Sequence, residues 1–230
     1  MSEFVFNSTA FGVVLTIITY QIGMYMKKKW QHPLANPLLI SVIISIVFLA
    51  VFRIEFETYN RSARYLSYLL TPATVCLAIP LYQQIQLLKK NFKAIIIGTV
   101  AGVLSSMGSV YALALLFQFT YEQYVTLLPK SITSAIAIGL MEEHGGIVTI
   151  TIAVIILTGI FGNIIAEKVC KWSRITNPVA KGLAIGSAAH IMGTVKAMEM
   201  GEVEGAMSSL AIITSGLTTV VAITFFVGIW

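Results

Sequence analysis

The stretch QYVTLLPKSITSAIAIGLMEEHGG, residues 123–146, decides how this chain folds. It is apolar enough to enter a bilayer, yet Pro129 and Lys130 interrupt it. A proline removes a helix hydrogen bond and a lysine adds a charge, so an ordinary spanning helix is not the first expectation. What the segment does instead follows from its surroundings. The chain has 230 residues, 57% of them hydrophobic and only 11% charged, with a mean hydropathy of +0.86. That composition belongs to an integral membrane protein and not to a soluble domain.

A helix that crosses the hydrocarbon needs about 20 mostly apolar residues. Breaking the chain at Asp, Glu, Lys and Arg leaves six such runs: 4–26, 33–52, 65–88, 94–121, 145–166 and 205–230. The first follows Glu3 without a basic n-region, so it reads as a retained helix and not as a signal peptide. Lys27, Lys28 and Lys29 follow the first run, Lys89, Lys90 and Lys93 the third, and Lys168, Lys171 and Arg174 the fifth. The positive-inside rule places all three clusters on the cytoplasmic side, with Trp30 and Trp172 as interfacial anchors. The loop 53–64 mixes Arg53, Arg61 and Arg64 with Glu55 and Glu57. It reads as an outer interfacial helix with Ile54, Phe56 and Tyr59 toward lipid.

With that parity, run four emerges outside and run five starts outside, so residues 123–146 must enter and return on one face or be a broken helix buried in protein. A second segment, 177–205, carries Lys181, His190 and Lys196 and would dip from the inside. Two interrupted segments entering from opposite faces are the pattern of an inverted-repeat transporter. The alternative is that both are tilted spans. The expected fold is therefore an all-α polytopic membrane protein with six firm transmembrane helices and two interrupted or re-entrant segments, giving six to eight crossings. It forms one integral domain over 1–230, with N-terminal helices and an interfacial loop in 4–64 and a core in 65–230. A faint echo between TPATVCLAIPL (71–81) and KSITSAIAIGL (130–140) fits an inverted repeat, although such matches arise easily in an Ala/Ile/Leu-rich chain.

The chemistry-bearing residues gather at these breaks. Lys130, Ser131 and Thr133 follow Pro129, where a helix start would point free N–H groups and a charge at a carboxylate. The alternative is that Lys130 snorkels to the headgroups and Ser131 caps a helix. Thr71, Pro72 and Thr74 mark a break within run three that frees a carbonyl for a cavity, while Pro80 reads as a kink. In the second segment Gly193 permits close approach or unwinding, and His190 lies four residues before Thr194. His190 suits proton coupling, and a structural histidine bonded to a helix carbonyl is the equal alternative. Glu199 pairs with Lys196 at the surface, and Glu202 is the candidate gate or proton site. EEHGG (142–146) reads as a helix stop. Two cysteines make no disulfide framework, and neither they nor Glu142, Glu143 and His144 show metal spacing. The net charge of +5 lies at helix ends and does not indicate nucleic acid. No nucleophile elbow, P-loop or dinucleotide fingerprint occurs, so enzyme chemistry is disfavoured and no cofactor is expected.

TPATVCLAIPLY, LLPKSITSAIAIG, NPVAKGLAIGSAAHIMGT and KAMEMGEVEGAMSSLA occur in order between about Thr71 and Leu210. In them the chain resembles the LrgB/CidB family of bacterial membrane proteins, which includes the plant plastidial glycolate/glycerate translocator. The first two spans match only in character. The resemblance implies a multi-pass protein of the bacterial cytoplasmic membrane. It implies two kinds of function: carriage of small monocarboxylates such as pyruvate, glycolate or glycerate, or holin- and antiholin-like control of murein hydrolases, autolysis and cell death with a small LrgA/CidA-type partner. The residues favour the carrier, with Thr71, Pro72, Thr74, Lys130, Ser131, Thr133, His190, Gly193 and Thr194 around the substrate and His190 or Glu202 in proton coupling or gating. Gly98 with Gly102 permits a homodimer seam, as internal packing also would.

Overall fold

The computed structural model describes residues 8–30, 36–69, 72, 75, 76, 78–83 and 85–230, and its regular structure there is helical throughout. Among the described residues three helices are long and apolar enough to cross a bilayer: Phe92–Leu116, Val148–Trp172 and Glu202–Gly228. They arise from the fourth, fifth and sixth apolar runs. The chain is an all-helical, polytopic membrane protein and divides into two compact units, residues 1–76 and 77–230.

The first unit is built on α1 (Phe11–Trp30), α2 (Pro37–Val51) and α3 (Phe56–Ala63), with a 3-10 turn at Arg64–Leu69. The Asn36 side chain caps α2 by accepting from the Leu38 and Leu39 N–H groups, and Pro37 fills the first turn where no N–H is needed. Two glycines let the helices touch. A Cβ at Gly23 would run into the Pro37 backbone, and one at Gly12 into the Tyr59 carbonyl and the Ala63 nitrogen. The short helix in the 53–64 loop is present, and Phe56 is exposed. Tyr59 does not face lipid, because its hydroxyl hydrogen-bonds Thr16 Oγ1 of α1 at 2.8 Å. A half-buried hydroxyl on α1 offers that phenol a better partner than an apolar phase can.

The second unit runs α4 (Ala78–Gln83), α5 (Ile85–Lys90), α6 (Phe92–Leu116), α7 (Tyr121–Leu127), α8 (Ser134–His144), α9 (Val148–Trp172), α10 (Pro178–Met200) and α11 (Glu202–Gly228). Run three, read as one span, is described only in part: the 3-10 turn, α4 and α5 are helical, and six of its positions (70, 71, 73, 74, 77 and 84) lie outside the described residues. Both interrupted segments reverse direction. In the first, α7 opens with a Thr120/Gln123 capping box and stops at Leu127, and the chain turns through Pro129 before α8 begins. Helix α8 ends where Gly145 takes the left-handed conformation, φ 77°, as the EEHGG stop requires. The Tyr121 hydroxyl donates to the His144 carbonyl at 3.3 Å, so the segment returns to the end it entered.

The second reversal lies inside α10. Ala189 (φ −129°, ψ 16°) and His190 (φ 41°, ψ −135°) are not helical and separate an arm at 178–188 from one at 191–200. The arms fold back on each other: Ile185 and Ala197 share one buried cluster with Ala166 and Cys170, and a Cβ on Gly193 would meet Ala189 and Ile185. Helix α11 records the same reversal. Its Glu204 and Ser208 backbones press on Gly182 and Gly186 of the first arm, in parallel order, while Gly205 and Ser208 meet Met198 and Thr194 of the second arm in antiparallel order. Helix α8 and the two arms of α10, ten or eleven residues each, span about 16 Å, roughly half of a 30 Å hydrocarbon core, and α7 with 7 residues is shorter still. Each segment is thus a helical hairpin whose tip stops near mid-depth. Because Lys93, Lys168, Lys171 and Arg174 lie at the end where the second hairpin starts, that hairpin is the inner one and the α7–α8 hairpin the outer one.

In a background with Cys76 and Cys170 changed to serine, membrane-impermeant thiol reagents are expected to label Glu122→Cys and Glu143→Cys from one side and Thr176→Cys and Glu202→Cys from the other. Labelling of two members of one pair from opposite sides would show a crossing, not a hairpin.

Candidate functional site

The outer tip, helix α6 and the first arm of the inner hairpin define the site. A cleft of about 660 Å³ lies between α6 and the first arm of α10, with Lys130 and Ser131 of the outer tip at one end. Its wall on α6 is a stripe of small residues, Gly98, Gly102, Ser105, Ser106 and Ser109, and Ala184, Ser187 and Ala188 face it from the inner hairpin. The stripe follows the three-and-four spacing that keeps residues on one helix face. A Cβ on Gly102 would stand 3.1 Å from Ser187 Oγ, so the glycine sets how closely α6 and α10 approach.

Lys130 is half-buried at the middle of α6. Its Nζ donates to Ser106 Oγ at 3.0 Å and Ser131 Oγ at 3.2 Å, and the two hydroxyls are 3.2 Å apart. No carboxylate pairs with it among the described residues. Hydroxyls solvate an ammonium incompletely, and a charge taken out of water without a counter-ion is unfavourable. Chemically, such an arrangement can accept one small anion. Ser131 does not cap α8, whose N-cap is Thr133 with no side-chain capping bond, and Thr133 is not in the cleft wall.

His190 and Thr194 are placed elsewhere, on the side of the inner hairpin that meets α9 and α11. The buried His190 ring lies over Gly159, where a Cβ would stand 2.6 Å from Cε1, and its Nε2 is 3.0 Å from the Ile155 carbonyl. The carbonyl can only accept, so Nε2 carries the proton. Gly162 makes room for Ala189, and Asn163 Nδ2 donates to the Met192 carbonyl at 2.7 Å. Thr194 Oγ1 donates to the His190 carbonyl at 3.0 Å and shares a 2.7 Å hydrogen bond with Ser208 Oγ. Together these contacts hold a tip whose φ of 41° is unusual for a residue with a side chain.

A model of the LrgB-like family matches residues 16–229, nearly the whole chain. This chain belongs to the LrgB-like family. "Antiholin-like protein LrgB" of Bacillus mycoides (strain KBAB4) is 38% identical to it over 217 residues, 94% of each chain. Proteins of the same name from Bacillus cereus (strain B4264) and Bacillus anthracis (strain CDC 684 / NRRL 3495) are 37% identical over the same coverage. No solved structure matches the chain. Bacterial relatives and apolar spans together make this LrgB-like chain a multi-pass bacterial membrane protein.

Among the residues expected at the site of this LrgB-like chain, the structure brings Lys130 and Ser131 into the cleft and gathers His190, Gly193 and Thr194 at the inner tip. Thr71 and Thr74 lie outside the described residues, and Pro72 is in the other unit. Glu202 is exposed at the start of α11, and the buried acid is Glu204, 3.9 Å from Lys181. The Lys196–Glu199 pair is present at 3.3 Å, and Glu167 joins it at 3.3 Å. Ser106 was not singled out from the sequence. The small-residue stripe was the available signal, and it faces the cleft and α10.

Gly159→Ala is expected to lower thermal stability in detergent by about 1–3 kcal/mol through overpacking against the imidazole. The same change should cost measurably less in a His190→Ala background, since the ring it strikes is gone. Equal losses in both backgrounds would separate Gly159 from His190.

Proposed function

We propose that this LrgB-like chain carries a small monocarboxylate across the bacterial membrane, and that its cellular role is the antiholin-like one its relatives are named for. The two halves rest on different supports. Names at 37–38% identity support the antiholin-like role, and on the comparisons alone that role is the better backed. The carrier activity is supported by one observation: an ammonium held by two hydroxyls at the outer re-entrant tip, facing a cleft walled by α6 and the first arm of the inner hairpin. Broken helices at mid-depth are the usual construction of a secondary carrier's site. A lytic pore has no need of them.

In this reading Lys130, Ser106 and Ser131 hold the carboxylate, and the small wall formed by Gly98, Gly102, Ala184 and Ala188 limits its tail. One lysine suits a single negative charge. Transport follows when the two hairpins expose the tip region alternately to the outer and inner faces. His190, with Nε2 bonded to a backbone carbonyl, fits a pin for the inner tip better than a proton carrier, and Glu202 remains open to water. A small LrgA/CidA-type membrane protein is the partner we assign to the antiholin-like role, and a second copy of the chain is a further proposed partner. Carboxylate flux alters internal pH, which links the activity to autolysis.

The test is uptake of labelled pyruvate and glycolate into liposomes containing the purified chain, with and without an imposed pH gradient. Saturable uptake is expected, reduced at least about 100-fold in kcat/KM by Lys130→Ala, a loss of about 3 kcal/mol, while expression is unchanged. Ser106→Ala should raise KM more than it lowers the maximal rate. Leakage of an unrelated dye without saturable uptake, appearing only with the LrgA/CidA-type protein, would leave the antiholin-like role and remove the carrier.

A further inference from the structure

The basic end of the 77–230 unit holds a second cavity, apart from the Lys130 cleft and about 620 Å³ in volume. Its walls are the end of α9, the connection to α10 and both arms of the inner hairpin. Lys171, Arg174, Lys181 and Lys196 line it against only two carboxylates, Glu167 and Glu199. Both carboxylates are already engaged. Glu167 binds Lys171 at 2.9 Å and Lys196 at 3.3 Å, and Glu199 binds Lys196 at 3.3 Å. Lys181 has Glu204 at 3.9 Å, the far limit of an ion pair, and Arg174 makes no ion pair among the described residues.

Positive charge is ordinary at a cytoplasmic membrane face, where lysines extend into water. Here the Lys181 and Lys196 side chains are only 25% and 23% exposed, so they turn inward to the cavity. Thr176 adds a hydroxyl to the wall. A guanidinium, an inward ammonium and a hydroxyl around one hollow match the oxygens of a phosphate group. Basic hollows between helices on this side of a membrane are where anionic headgroups lodge.

We propose that this cavity binds a phosphate-bearing anion, presented by an anionic lipid headgroup or by a free phosphate compound, with Arg174 and Lys181 as its chief cations. Because α9 and both arms of α10 form the walls, the bound anion ties the inner hairpin to α9 and stabilises the conformation in which its tip rests over Gly159. This does not depend on the carrier reading, since binding is measured without transport.

The experiment is thermal unfolding of the whole purified chain in a neutral detergent. The probes are short-chain phosphatidylglycerol, zwitterionic phosphatidylcholine, and inorganic pyrophosphate against chloride at equal ionic strength. Phosphatidylglycerol or pyrophosphate is expected to raise Tm, phosphatidylcholine and chloride are not, and Arg174→Gln should weaken the half-saturating concentration about ten-fold. A rise with the lipid alone assigns a headgroup, and a rise with pyrophosphate assigns a free phosphate. Lys181→Gln tests the second cation, and Arg174→Gln, which breaks no ion pair, keeps the test sound if Lys181→Gln destabilises the fold. Lys93→Gln, at the same end but outside the cavity, should change nothing. No rise with either anion, a rise unaffected by Arg174→Gln, or an equal loss in Lys93→Gln would overturn the site.

Discussion

Backbone polar groups at mid-depth in a bilayer must find partners inside the protein, because lipid offers none. The second unit is organised around that constraint. Two helices end halfway through the membrane, and each broken end is received by groups placed for it. The outer tip meets Ser106 at the middle of α6, where Lys130 and Ser131 join one hydroxyl triangle. The inner tip meets α9, which supplies the Ile155 carbonyl to His190 and the Asn163 amide to the Met192 carbonyl. Glycines at 159 and 162 make this possible by removing the atoms that would hold the backbones apart. The spanning helices thus serve less as a barrier than as solvent for the two tips.

The same constraint explains which features were legible in the sequence. Pro129 beside Lys130, and the density of glycine between 182 and 193, marked both breaks, since few other residues end a helix inside an apolar run. Whether a broken segment crosses or returns was not legible. Its hydrophobic period is the same in either case, and the choice is made by distant glycines on α9 and α10 that accept the folded-back arm. The acid is a similar case. Glu202 and Glu204 are two positions apart and alike in composition, but helical rotation turns Glu204 toward Gly182 and leaves Glu202 in water. Ser106 on its own carries no signal in the sequence because a hydroxyl within a long apolar helix is usually satisfied by its own helix. Only the arrival of Lys130 from another part of the chain gives it a different role. Tyr59 differs from its sequence expectation for a related reason: an aromatic in an interfacial helix resembles a lipid anchor until a partner such as Thr16 comes within reach.

The molecule therefore keeps two kinds of positive charge. At the basic end Lys171, Lys181 and Lys196 have carboxylates beside them, as in the Glu167, Lys171, Lys196 and Glu199 chain of contacts. At mid-depth Lys130 has hydroxyls alone. Charges paired within the protein hold elements together, whereas a charge left with neutral donors and acceptors attracts something from outside. That distinction is what supports the proposed anion site at Lys130 in a chain of the LrgB-like family.

The reversal inside α10 also sets an order of events during synthesis. One side of the inner hairpin rests on α9, which has already left the ribosome, but its other side rests on α11, which has not. Neither arm is long enough to be held by lipid on its own account. The hairpin can therefore take its final depth only after α11 has entered the membrane and brought Ser208 to Thr194 and Gly186. The outer hairpin waits for the same helix, since the Tyr124 hydroxyl donates to the Phe226 carbonyl and Ile132 and Ala137 pack with Ala222 and Ile223, so maturation of both tips is reserved for the end of translation.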